Sequence, residues 1–192
     1  ADNDDAAATK TQSSDAAAHA NTYAYDAVGK PTGVTDALDH ATGYVYDAAN
    51  RKTQTTWPDG SASLYDYDAA GRKTKDTDPL SRTTQFGYDA LGRLNKVTDA
   101  LGKITSYGYD ELGNKTTQTD ALSHIAQWAY DAAGRATSHT LPDNRDETMA
   151  YDVVGSLVKR TDYAGDATGY RYNTGDRMRS QAIGQRSGRR SL

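Results

Sequence analysis

The chain has 192 residues, a net charge of −4, a hydrophobic content of 36% and no cysteine. Disulfides and thiolate metal sites are therefore excluded, and one Phe against 14 Tyr cannot fill a thick core of interlocking apolar side chains. Residues 178–192 carry Arg179, Arg186, Arg189 and Arg190 with no acid, so the body of the chain is more acidic than the whole, which argues against a nucleic-acid groove.

Residues 1–24 read as a degenerate N-terminal repeat. Asp15 and His19 align with Asp36 and His40 one period later, but the aromatic landmarks are missing. From Tyr25 the frame is explicit. Tyr recurs at Tyr25, Tyr46, Tyr67, Tyr88, Tyr109, Tyr130, Tyr151 and Tyr172, every step being 21 residues. Asp follows in all copies but the last, where Asn173 stands. Four residues after Tyr comes Gly29, Gly71, Gly92, Gly113, Gly134 or Gly155, with Asn50 and, in the last copy, Asp176 as the exceptions. An aromatic or Met sits two residues before Tyr, so the frame accounts for 13 of the 14 Tyr. The tandem array spans 25–177. The pattern then stops, and residues 178–192 read as a basic, disordered tail.

Each unit contains two bends. In the first, Tyr-Asp-x-x-Gly, the Asp carboxylate accepts local backbone N–H groups and the Gly takes positive φ. Asn50 in the Gly position points to a left-handed backbone, because Asn is the next residue to tolerate it. The second bend takes forms such as Asp99-Ala100-Leu101-Gly102 and Trp57-Pro58-Asp59-Gly60. Between the bends lie short runs rich in Thr, Lys, Gln and aromatics, with no 3.6-residue apolar period. The expectation is an all-β fold: antiparallel hairpins of 21 residues forming a curled strip, part of a larger β-shell. Tyr and the aromatic two before it share one strand face. Aromatics of neighbouring repeats are expected to stack as a ladder, capped by Leu38, Leu80, Leu101 and Leu122.

Chemistry is sparse in this pattern. His19, His40 and His124 share a repeat position but are separated by whole units, so they cannot hold one ion. The first-bend Asp residues read as turn caps that pair with the Arg four residues on. No nucleophile, base and acid converge, so the expectation is no catalytic residue, no cofactor and no metal. No stretch reads as a signal peptide or membrane span. Exposed aromatics stack on sugar rings, so Tyr107 and Trp128 are candidate glycan contacts in a cell-surface binding module, the alternative to a purely structural role.

Tandem units of this length reading Tyr-Asp-x-x-Gly-Arg, with an Asp-Ala-Leu-Gly second bend, resemble the YD repeats of RHS proteins. The resemblance covers residues 4–177. In that family the repeats form a β-strip that spirals into a hollow shell around a toxic C-terminal domain until delivery. Related shells occur in insecticidal toxin complexes, bacterial wall-associated and contact-dependent toxins, and teneurins. The resemblance implies a structural shell segment. Its partners would be the rest of the shell and an enclosed toxin polypeptide, and its location secreted or cell-surface. The family's self-cleaving core-associated segment, with paired Asp near a DPxGL-type motif, is absent. Asp78-Pro79-Leu80 echoes it only superficially, inside an ordinary second bend. A piece of a shell, lacking the core-associated and toxin domains, is what the resemblance implies.

Overall fold

The structure, a computed structural model, describes residues 8–9, 13–14, 20–172 and 178–183, and the side chains of 21–172. The chain divides into two compact units, residues 1–87 with 98–102, and residues 88–97 with 103–192. No helix occurs among the described residues.

In the first unit the degenerate repeat supplies β1 (Ala8–Thr9) and β2 (Ser13–Ser14). Both pair antiparallel with β3 (Ala20–Tyr25). There follow β4 (Pro31–Thr35), β5 (Ala41–Tyr46), β6 (Lys52–Thr56), β7 (Ala62–Tyr67), β8 (Lys73–Thr77) and β9 (Thr83–Tyr88). Each pairs antiparallel with the one before it, as a meander.

The second unit begins with β10 (Leu94–Thr98), then β11 (Ile104–Tyr109), β12 (Lys115–Thr119), β13 (Ile125–Tyr130), β14 (Ala136–Thr140), β15 (Asp146–Tyr151), β16 (Leu157–Thr161), β17 (Ala167–Tyr172) and β18 (Met178–Ile183). From β11 to β18 each strand again pairs antiparallel with the next. β18 takes up the start of the basic tail; residues 184–192 lie outside the described residues.

Seven hairpins closed by a first bend carry a bulge beside the motif Tyr. Asp66 faces Lys75 while Tyr67 faces Lys73, which leaves Thr74 as the extra residue. The same shift recurs at Tyr25, Tyr46, Tyr109, Tyr130, Tyr151 and Tyr172. A bulge sets two residues against one and re-aims the side chains next to it.

The two bends of a unit are built alike. At 68–72 the Asp68 amide donates to the Arg72 carbonyl, and Gly71 N–H returns to the Asp68 carbonyl. Asp68 Oδ1 meanwhile accepts from Ala70 and Arg72. At 78–82 the same four bonds run from Asp78, Ser81, Leu80 and Arg82. The fourth residue of either bend is left-handed: Gly71 at φ 84°, Asn50 at 62°, Ser81 at 62°. Asn50 therefore occupies the backbone state expected of it. The second bends at Trp57 and Leu141 lack the first Asp. There the cap moves two places along, to Asp59 and Asp143, which hold Ser61 N–H and Arg145 N–H.

Among the described residues no apolar side chain is fully buried; the most covered are Thr55, at 2% exposure, and Ser63. One face is still favoured. In β13, Ala126, Trp128 and Tyr130 are more covered than Ile125, Gln127 and Ala129. The aromatic face does the work of a core, as the Tyr-rich, aliphatic-poor composition requires.

Candidate binding surface

The aromatic face departs from a direct ladder. Two strands per unit place equivalent aromatics roughly 9.6 Å apart, beyond ring contact. Lysines fill the interval. Lys52 Nζ lies 5.3 Å from the Tyr44 ring centre and 5.4 Å from that of Tyr65. Lys73 Nζ lies 5.4 Å from both Tyr65 and Phe86. Lysine alternates with aromatic, each ammonium sitting against ring faces. The leucines expected to cap the ladder do not. Leu38, Leu80, Leu101 and Leu122 project into solvent at the second bends, Leu101 being 84% exposed.

The motif Tyr residues are pinned differently. The hydroxyls of Tyr67, Tyr109, Tyr130, Tyr151 and Tyr172 each donate to the backbone carbonyl fifteen residues earlier, in the preceding repeat, at 2.7–2.9 Å. Over the ring comes the cation that ends the previous first bend. Arg51 lies 4.9 Å from the Tyr67 centre, Arg93 4.7 Å from Tyr109, Arg135 4.7 Å from Tyr151 and Lys30 4.8 Å from Tyr46. Arg51 also pairs through Nε with Asp47 at 2.7 Å and donates to the Asp68 carbonyl at 2.9 Å. One guanidinium thus closes its own bend and grips the next. The Asp–Arg pairing was legible from spacing; the cross-repeat grip was not.

Several second bends close on their own side chains. Asp78 pairs with Arg82, and Asp36 and Asp120 pair with His40 and His124. Those two histidines are capping partners, and among the described residues no group of three or more metal-ligating side chains converges. His19 lies outside the described residues. The carboxyls of Asp36, Asp47, Asp68, Asp78, Asp89, Asp120 and Asp131 are held below the usual range. The cause at Asp47, Asp68, Asp89 and Asp131 is first the backbone N–H of the following Arg, then its side chain. At Asp36 and Asp120 it is first the backbone N–H of the His.

Of the two candidate glycan residues, Trp128 is enclosed. Lys115 from β12 lies 3.8 Å from its ring centre, and His139 from β14 stacks at 4.5 Å with an interplanar angle of 10°. These come from the strands on either side. The hydroxyl of Tyr163, the one Tyr outside the repeat frame, lies 2.5 Å from His139 Nδ1. Burial, then the nearby Glu147, raises the Tyr163 pKa, so the phenol stays protonated. Tyr107 lies half-buried on β11. Among the described side chains the exposed aromatic is Trp57, at 41%.

The RHS Repeat family profile matches residues 25–62, 67–104 and 88–125, together just over half of the chain. The chain belongs to the RHS repeat family. The motif Tyr and Gly positions of these repeats are the landmarks along which the hairpins are laid. No curated protein matches in sequence. Among solved structures, the crystal structure of TcdB2-TccC3-TEV is similar at a TM-score of 0.66 and 16% identity, over 88% of this chain and 10% of that one. The crystal structure of TcdB2-TccC3-Cdc42 is similar at 0.60 and 15% identity, over 88% and 12%. The likeness shows the fold, and the RHS repeat chain spans about a tenth of either.

Proposed function

We propose that this chain is a wall segment of an RHS-type shell that encloses a C-terminal toxin polypeptide and takes part in its delivery. The observation that carries the reading is the indel-free 21-residue hairpin, in which neighbouring repeats are gripped through a motif Tyr hydroxyl at Tyr67, Tyr109, Tyr130, Tyr151 and Tyr172 and through a first-bend cation at Tyr46, Tyr67, Tyr109 and Tyr151. Such a unit extends by addition, as a wall must. Membership of the RHS repeat family and the fold shared with the TcdB2-TccC3 structures support it. The partners are further repeats and the enclosed polypeptide, the setting is a secreted or cell-surface bacterial protein acting on competing cells, and the segment is non-catalytic.

Electron microscopy of the full-length protein carrying this segment tests the reading. A closed or spiral shell with internal density is expected, and an open rod without a cavity rejects it. Glycan contact through Tyr107 and Trp128 ranks second, because Lys115 and His139 already occupy the two sides of Trp128. Tyr107→Ala and Trp128→Ala are expected to lower stability while a glycan array stays blank. Specific array binding lost in both variants would reverse that ranking.

A further inference from the structure

Trp57 breaks two rules of the array at once. It stands where an Asp starts most second bends, and the cap it displaces is supplied by Asp59, so the side chain at 57 takes no part in capping while its backbone still bonds Ser61 and Gly60. Its indole is nonetheless fixed: Nε1 donates to Oγ of Ser63, among the most covered side chains described, at 3.1 Å. A ring held from beneath and open above is a platform. Around it lies a shallow cleft of about 560 Å³, shaped by Pro58, Pro79, Asp36, His40 and Asp59, all within the first unit.

The rest of the molecule indicates what such a ring lacks. Tyr46, Tyr67, Tyr109, Tyr151 and Trp128 each carry a Lys or Arg over the ring. Among the described residues no cation lies over Trp57. The cleft instead presents two carboxylates. Asp36 spends Oδ1 on the Leu38 and His40 amides and Oδ2 on His40 Nδ1. Asp59 Oδ1 accepts from the Ser61 amide and hydroxyl. Asp59 Oδ2 accepts none of these bonds, and both carboxylates keep their charge. We infer that the Trp57 cleft is a docking site for an arginine- or lysine-bearing polypeptide segment, whose cation lies on the indole face between Asp36 and Asp59.

The test is a titration of the intact chain followed through its two Trp indole N–H resonances, assigned with Trp57→Phe. The probe is acetyl-Gly-Arg-Gly-Arg-Gly-amide. Its controls are the same peptide with citrulline for arginine, and maltohexaose. A saturable shift of the Trp57 signal is expected, with the enclosed Trp128 signal still. Binding to the citrulline peptide is expected to be about tenfold weaker. Asp59→Asn keeps an oxygen to cap Ser61 while removing the charge, and is expected to weaken binding about threefold, as is raised salt. Equal binding of the citrulline peptide overturns the inference, as does a silent Trp57 signal with the arginine peptide. A Trp57 shift with maltohexaose alone also overturns it and assigns the platform to sugars.

Discussion

First and second bends share one backbone design but differ in what they hold. At a first bend such as 47–51, Arg51 bonds its own Asp47, the carbonyl of Asp68 one repeat on, and the ring of Tyr67. At a second bend such as 78–82, Arg82 meets only its own Asp78 and its side chain is 64% exposed. The sequence varies accordingly. First bends keep Asp and nearly always Gly. Second bends accommodate Trp57, Leu141, Tyr163 and three of the four prolines. Side chains that couple neighbours are constrained by both; side chains that serve one turn are replaceable as long as the turn closes. Coupling and variety are thereby largely separated within a unit, Tyr163 on His139 being the exception, and the one exposed aromatic described lies on the variable side.

The largest expected change is collective and strikes both kinds of bend. Asp36, Asp47, Asp68, Asp78, Asp89, Asp120 and Asp131 all have carboxyls depressed by the N–H groups they cap. A depressed folded-state pKa contributes stability that is present above the unfolded-state value and lost as pH falls through the folded one. Urea midpoints should therefore hold from neutrality down to about pH 4 and fall steeply below it. An unchanged midpoint at pH 3 would show that capping contributes little.

Single substitutions then separate the two bends. Tyr67→Ala removes a ring, a hydroxyl bond to Lys52 and the seat of Arg51, and is expected to cost about 2–3 kcal/mol. Tyr67→Phe, which loses only the hydroxyl bond, should cost about 1 kcal/mol in urea melts. Arg51→Ala is expected to cost about 1–2 kcal/mol, and Arg82→Ala less than about 0.5 kcal/mol. Similar costs for the two arginines would erase the distinction between the bends.

Much of this was legible in the sequence because it is periodic. The 21-residue step gives the hairpins, the Asp-x-x-Gly spacing gives the caps, and Asn50 reveals a demand for positive φ. The rest is hidden for physical reasons. A repeat read as one line does not show that two strands intervene between equivalent aromatics, so Lys52 and Lys73 escaped notice as the spacers. The bulge beside the motif Tyr leaves no local signal, since Thr74 next to Tyr67 looks like any strand residue. Tyr163 reaches His139 across 24 residues from a bend, outside any period. Leu101 recurs with its counterparts and so reads as packing, yet it stands in solvent. Leu101→Gln should accordingly move stability by no more than about 0.5 kcal/mol, the smallest effect expected here, and a larger loss would restore the capping role.

The grip between neighbouring repeats is tested most directly by a double-mutant cycle on Arg51 and Tyr67, measured by urea denaturation, with Arg82 and Tyr67 as the reference cycle. Arg51 and Tyr67 should couple by roughly 1 kcal/mol. Arg82 and Tyr67 should be additive to within about 0.3–0.5 kcal/mol. Additivity in both cycles would contradict the account, since repeats would then be joined by the backbone ladder alone.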